Sequence, residues 1–452
     1  MHALVKAIIV ALSLAGLFGC GQSALPPADE PHIVAIVGAR LIDGTGGDPI
    51  EDSVVVIEGT RIRAAGPRSH TPVPKGGEIF DAAGKTIMPG LVETHAHYFG
   101  DQPLVEHRFK AQLYYGVTTA RSIGVDPAET LAIIAEGRAG KILMPRMYTA
   151  GLGFTHPEGH PLARTVLRPA SPEEARENVA RLAAQRVDFI KIWVEPLRGR
   201  VPKIRPEIRA AIVEEAGKHQ IPVVAHIAEE ADFRQLAGLG VKDFLHTVRD
   251  RDAGPAFIRL CLDQGVSFTP TLATAQGGWN FAEHPELLED AAIRAAFDAD
   301  SLARWKDPAS REEVLTSPRL AERKTDFARS LRFVRAVSEA GIRLTTGSDS
   351  GTPNVPMGWG THQEIELLVE ADLPAMQAIV AATRQGAELL SGLPSGGESG
   401  GGAGYGTVAA GKAADLVVLD ANPLADIKNT RAIHRVMQAG QWLKREELLP
   451  RQ

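Results

Sequence analysis

The stretch Met88-Pro89-Gly90-Leu91-Val92-Glu93-Thr94-His95-Ala96-His97 reads as an apolar strand whose end carries two histidines two residues apart. Side chains at that spacing on a strand share one face, so two imidazoles can converge on one ion. Histidines also cap strands and bond backbone carbonyls, so the pair gains meaning only from partners elsewhere. Downstream, short apolar runs alternate with helix-length amphipathic stretches, which argues for βα units and a parallel sheet. The strand candidates end near His95-Ala96-His97, Thr118-Thr119-Ala120, Met147-Tyr148-Thr149, Ile190-Lys191-Ile192, Val224-Ala225-His226, Phe244-Leu245-His246, Phe268-Thr269-Pro270 and Thr346-Gly347-Ser348-Asp349. Eight such units are the count that closes a (β/α)8 barrel of about 250 residues. The fold class expected is therefore α/β, a TIM-like barrel over residues 85–391. Helices fit between the strands. One opens at Ser171-Pro172-Glu173-Glu174, an N-cap followed by proline at the first helical position.

Outside the barrel the pattern changes. Residues 32–84 alternate β-rich runs such as Ile33-Val34-Ala35-Ile36 and Val54-Val55-Val56-Ile57 with turn signals, and Ala414-Asp415-Leu416-Val417-Val418-Leu419-Asp420 begins a similar pattern near the far end. The two ends, 32–84 and 405–447, are expected to pair into one composite β-sandwich domain. Residues 275–325 insert about fifty extra positions, rich in charge and with Trp279 and Trp305, between the seventh strand and its helix. Insertions on that side of a barrel overlie the active face, so a lid is expected, with surface decoration as the alternative. The Gly-rich run at 392–406 lacks phosphate-loop order and reads as a linker.

At 452 residues the chain suits one large barrel plus a smaller module. Charged residues make up 23% with the signs interspersed, and the net charge is −6, so no basic face exists to bind nucleic acid. Lys6, the apolar run Ala7 to Phe18 and the small-residue end Gly19-Cys20-Gly21 read as a signal peptide over residues 1–20. The apolar run is shorter than the ~20 residues a membrane-crossing helix needs. Leu17-Phe18-Gly19-Cys20 resembles a bacterial lipoprotein cleavage box, which places the chain in the periplasm, lipid-anchored to the outer membrane through Cys20. Plain secretion and a retained apolar tail are the alternatives. Cys261 is the one other cysteine, so a lipidated Cys20 leaves no intramolecular disulfide.

The chemistry-bearing residues sit at strand ends. His226 follows Ile221-Pro222-Val223-Val224-Ala225 and His246 follows Asp243-Phe244-Leu245, which presents both at the carboxyl end of the barrel. Neutral imidazole is a common metal ligand. Lys191 interrupts the otherwise apolar strand around Phe189-Ile190-Lys191-Ile192-Trp193. A buried lysine is costly unless neutral or paired. Desolvation lowers its pKa, and a neutral amine can take up carbon dioxide as a carbamate with two anionic oxygens able to bridge two cations. The alternative is a salt bridge to Asp188 or Glu195. Asp349 ends the eighth strand, where a carboxylate can ligate a metal and take a proton from its water.

These residues resemble the amidohydrolase superfamily, in the imidazolonepropionase-like branch with the Xaa-Pro dipeptidases and metal-dependent carboxypeptidases. The likeness runs from about residue 32 to 445 and rests on Pro89 to His97, Gly116-Val117-Thr118-Thr119-Ala120-Arg121, Lys191, His226, His246, Asp349 and Gly411 to Asp420. It implies a two-metal site, zinc by preference: His95, His97 and Asp349 on the more buried ion, His226 and His246 on the more exposed one, and carboxylated Lys191 bridging. It also implies that a hydroxide shared by the metals attacks a carbonyl while Asp349 shuttles the proton to the leaving amine. Ser122, where the branch usually has aspartate, and Trp193-Val194-Glu195, where it has small residues, depart from the pattern. Arg121, His156 and His160 are the candidate substrate contacts.

The expected substrate is a small peptide, N-acyl amino acid or cyclic amide. Lactones and phosphoesters are the alternative on the same site, and a ligand- or metal-binding protein without turnover is the non-enzyme reading. Homo-oligomerisation is left open.

Overall fold

A computed structural model of the chain describes residues 32–162, 164–393 and 404–449. The signal-peptide and Cys20 readings lie outside the described residues, as does most of the Gly-rich run.

The two ends meet in one sheet, formed by β1 (Ile33–Leu41), β2 (Ile50–Glu58), β3 (Arg61–Pro67), β4 (Glu78–Asp81) and β5 (Thr86–Pro89). The later strands join them after eight barrel strands: β6 (Leu91–Ala96), β7 (Val117–Ser122), β8 (Arg146–Thr149), β9 (Ile190–Trp193), β10 (Val223–His226), β11 (Asp243–Leu245), β12 (Ser267–Thr269) and β13 (Arg343–Leu344). Then come β14 (Leu416–Leu419), β15 (Ile433–Gln438) and β16 (Gln441–Trp442). The terminal sheet runs β16-β15-β14-β5-β1-β2-β3, with β4 also on β1. Alternation along β1 explains it: Val34 and Ile36 face a core with Ile87, Leu416 and Val418, whereas Ala35 and Val37 face Val54 and Val56.

Where the sequence suggests a sandwich, the ladders connect a single sheet, because β1 carries β4 along Val34–Val37 and β5 at Arg40–Leu41. A second difference concerns the opening stretch. Met88 and Pro89 belong to β5, paired with Val417 and Leu416, and the barrel strand starts only at Leu91. Gly90 lies between them, and a Cβ there would come within 2.2 Å of Thr118 Oγ1, so the close approach to β7 admits no larger residue.

All eight barrel strands read from the sequence are present and parallel to their neighbours, giving a TIM-barrel-like α/β fold. They form two sheets, β6-β7-β8 and β13-β12-β11-β10-β9, without a closed ladder. Individual backbone bonds join the edges: Asp188 N to Thr149 O (2.8 Å), Thr94 N to Thr346 O (2.9 Å) and Asp349 N to His95 O (2.7 Å). The strands are buried on both faces, as their continuous apolar runs require. Phe233, Phe244, Phe257, Phe268 and Phe333 fill the layer between strands and helices. The helix Pro172–Ala184 starts as read, Glu174 N donating to Ser171 Oγ at 3.2 Å.

The insertion folds as short helices, among them Leu272–Gly277, Ala291–Ala296, Ala299–Lys306 and Pro308–Leu315. It is packed down: Trp279 and Trp305 are buried, Trp305 Nε1 donates to Pro353 O at 2.9 Å, and Met357 N donates to Ala296 O at 3.2 Å. These contacts fix it to the segment just beyond Asp349. Among the described residues, no helix is long and apolar enough to cross a membrane.

Candidate active site

The carboxyl ends of β6, β10, β11 and β13 bring His95, His97, His226, His246 and Asp349 to one cavity of about 290 Å³. Asp349 Oδ1 lies 2.8 Å from His97 Nε2 and 3.4 Å from His95 Nε2. The His246 ring centroid is 5.1 Å from that of His95 and 3.9 Å from that of His226. Donor atoms of His95, His246 and Asp349 all fall within 4.8 Å of one another.

The backbone is bent to reach this arrangement. His246, Thr271 and Asp349 take left-handed φ values of 69°, 55° and 59°, a conformation that costs about 1–3 kcal/mol at a residue with a side chain. Thr271 also fixes a tautomer. Its hydroxyl donates to Pro270 O at 2.7 Å and so accepts from His246 Nδ1 at 2.5 Å. His246 then carries its proton on Nδ1 and keeps the Nε2 lone pair for another partner. His226 Nε2 lies 3.1 Å from Glu195 Oε2, which Arg249 also holds.

Burial pushes the His95, His226 and His246 imidazoles well below their ordinary pKa, and Lys191 adds to the effect in each. They are therefore neutral nitrogen donors. Lys191 is fully buried, and desolvation drives its amine well below the usual lysine range. Its stem is clamped: a Cβ at Gly153 would come within 2.9 Å of Lys191 Cγ and 2.4 Å of Trp193 Cζ3. Neither acid considered as a salt-bridge partner serves it. Asp188 accepts from Arg138 and Thr149 N, and Glu195 holds His226 and Arg249.

Beneath the site Glu93 accepts from His95 N (2.8 Å), Ser348 Oγ (2.7 Å) and Thr361 Oγ1 (2.8 Å), and burial pushes its pKa up to about 7. It ties the β6 end to the loop that carries Asp349.

His95 Nδ1, His97 Nδ1, Lys191 Nζ and Asp349 Oδ1 are buried without a hydrogen bond. Orphaned polar atoms are costly and uncommon in native proteins. A cluster of imidazole nitrogens and a carboxylate is a donor set that suits a divalent cation, so these residues fit one.

The amidohydrolase family model matches residues 86–443, which span the barrel and the returning strands. The chain belongs to the amidohydrolase family. A Bifidobacterium longum protein provisionally designated a prolidase shares 26% identity and a TM-score of 0.72, with 92% of this chain and 95% of that chain covered. A Xaa-Pro dipeptidase with methionine bound in its active site shares the fold at 20% identity and TM-score 0.70, over 91% of this chain and 99% of that one. Adenine deaminase 2 of Bradyrhizobium sp. (strain ORS 278) is 26% identical over 252 residues, 52% of this chain and 38% of the relative. The chain thus spans less than two fifths of that curated relative. Amidohydrolases generally use divalent metals, in keeping with the donor cluster.

The remaining amidohydrolase candidates separate. His160 lines the cavity, its ring centroid 5.9 Å from that of His226. His156 lies off the cavity wall and accepts from Glu158 N at 3.1 Å, closing a turn. Arg121 is buried away from the cavity, donating through Nε to Thr94 O at 2.6 Å and pairing with Asp243. The departure at Ser122 is accommodated by Asp126, which accepts from Ser122 Oγ at 2.6 Å and from Thr149 Oγ1 at 2.5 Å.

Phe99, Arg164 and Thr274 also line the site, though nothing in their sequence context marked them. Glu195 was visible as a departure from the branch pattern and as an ion-pair alternative for Lys191, but not as the partner of His226.

Proposed function

We propose that the chain is a binuclear metal-dependent hydrolase that cleaves the amide bond of a small peptide or N-acyl amino acid. His95, His97 and Asp349 would hold one divalent cation, His226 and His246 a second, with Lys191, as its carbamate, a ligand to both. Two bound zinc ions would supply Lewis-acid polarisation of the carbonyl and an acidified water. The rest falls to the chain's own groups. Asp349 accepts the proton of the attacking water at its carboxylate and returns it to the leaving nitrogen. Thr271 and Glu195 hold His246 and His226 in place, so the donors need little rearrangement during reaction. His160, on the wall beside His226, is placed to touch the substrate.

The observation that carries this reading is the unpartnered Lys191 amine beneath four converging histidines and a carboxylate. Family membership supports C–N hydrolysis. The test is amine release from a library of dipeptides and N-acyl amino acids, using the chain from residue 21 onward grown with zinc and bicarbonate, beside Lys191→Ala. Release by the parent alone is expected. Two metals per chain with no release from any amide would move the assignment to lactones or phosphoesters.

We propose also that the chain is exported and lipid-anchored through Cys20. Cys20→Ala should then shift it from the membrane to the soluble fraction.

A further inference from the structure

Arg164 stands out among the buried and half-buried arginines because it has no polar partner. Arg108 donates to Phe99 O at 2.7 Å, Arg138 pairs with Asp188 at 2.9 Å, Arg146 with Asp415 at 3.0 Å and Arg209 with Asp232 at 2.7 Å. Arg164 makes no hydrogen bond or ion pair among the described residues. It stacks instead, with Cζ 3.6 Å from the Phe99 ring centroid; Arg108 Cζ lies 4.2 Å from the same centroid. An acid that could neutralise it, Asp298, is already committed. Its carboxylate accepts from Ser301 N and Oγ, both at 2.9 Å, to cap the helix Ala299–Lys306, and pairs with Arg108 at 3.8 Å.

Arg164 nevertheless lines the cavity that holds the histidines and Asp349. It is presented from a tied loop: Arg168 donates to the carbonyls of His156 (3.0 Å), Gly159 (3.1 Å) and Pro161 (2.5 Å), and Thr155 Oγ1 to that of His160 (2.6 Å). A planar fork of donors, held by stacking and left unpaired, is built to receive a planar anion.

Resting on the hydrolase reading above, we infer that Arg164 receives the free carboxylate of the substrate, which makes the substrate class N-acyl amino acids and dipeptides with an open C-terminus. Asp349, the acid among the residues that line this cavity, gives the pairing its direction. An anionic substrate end is repelled by Asp349 and attracted by Arg164, so the carboxylate docks on the loop side and the acyl carbonyl on the histidine side. Uncharged amides lack this handle.

The test uses the zinc-loaded enzyme and matched pairs: N-acetyl-alanine, N-acetyl-leucine and N-acetyl-phenylalanine against their carboxamides. Both equilibrium binding by calorimetry and hydrolysis are measured. The parent should prefer the carboxylate by about 30-fold, the scale of a hydrogen-bonded charge. Arg164→Gln should bring the ratio close to one, mainly through KM, and Arg164→Lys should restore part of it. No preference in the parent, including no binding of either partner, or a preference that survives in Arg164→Gln, overturns the inference. The two readings fail separately. Amide cleavage without carboxylate preference keeps the hydrolase and removes the role of Arg164; Arg164-dependent carboxylate binding without any cleavage does the reverse.

Discussion

Arg121 and Lys191 are both buried basic side chains of the same barrel, on β7 and β9, and their surroundings differ. Arg121 is anchored by the Thr94 carbonyl, by Asp243 and by the Phe189 ring 5.2 Å from its Cζ. Lys191 Nζ has no hydrogen-bond partner and lies 4.9 Å from the centroid of the Trp193 ring. A buried basic group with an ion-pair partner in place is part of the scaffold, whereas one held without such a pair needs a further group to complete it. The carboxyl end of the strands shows the same contrast on a larger scale, with unsatisfied histidine nitrogens and three strained non-glycine residues above a core that is otherwise well packed.

The contrast can be broken most strongly at Asp349. If its carboxylate moves the proton, Asp349→Asn should lower kcat/KM for the preferred amide by about 10³-fold, with far-UV circular dichroism unchanged. Next comes the pair of basic residues itself. Arg121→Met leaves Asp243 without its partner and should lower stability in urea unfolding by about 3 kcal/mol. Lys191→Met, in metal-free protein, should raise stability, because desolvation of the amine outweighs its attraction to Asp349 and Asp243. Equal losses in both variants would abolish the distinction drawn here.

Buried acids supply a smaller and pH-dependent effect. Burial pushes Glu364 from its usual 4.5 up to about 8, although Ala273 N donates to it at 2.7 Å. Between those values the folded chain keeps a proton that the unfolded chain releases, so this group's contribution falls as pH rises from about 4.5 to 8. Glu364→Gln should flatten that part of a stability–pH curve. The smallest change is expected at Arg168, whose removal should speed amide exchange in residues 156–162 and cost about 1 kcal/mol.

The strands and the residues that converge on the cavity were legible because parallel strands buried on both faces read as apolar runs, so a lysine, histidine or aspartate within or at the end of such a run is conspicuous. The same continuity hid the division at Gly90, where two strands of different sheets follow one another with no polar break. Arg121 reads as a substrate contact from its place beside the strand motif, and only its pairing with Asp243, far along the chain, assigns it to the scaffold. Arg164 and Phe99 escaped notice for a related reason: they meet through loop geometry that has no periodicity to read. The insertion was recognisable by length, yet its docking depends on single contacts such as Trp305 with Pro353.

The most direct test is to count metals by mass spectrometry on protein grown with zinc and bicarbonate, for the parent and for Lys191→Ala. Two ions per chain are expected in the parent and no more than one in the variant. A parent that binds none, or a variant that still binds two, would contradict the assignment of Lys191 and the histidines to a shared metal site.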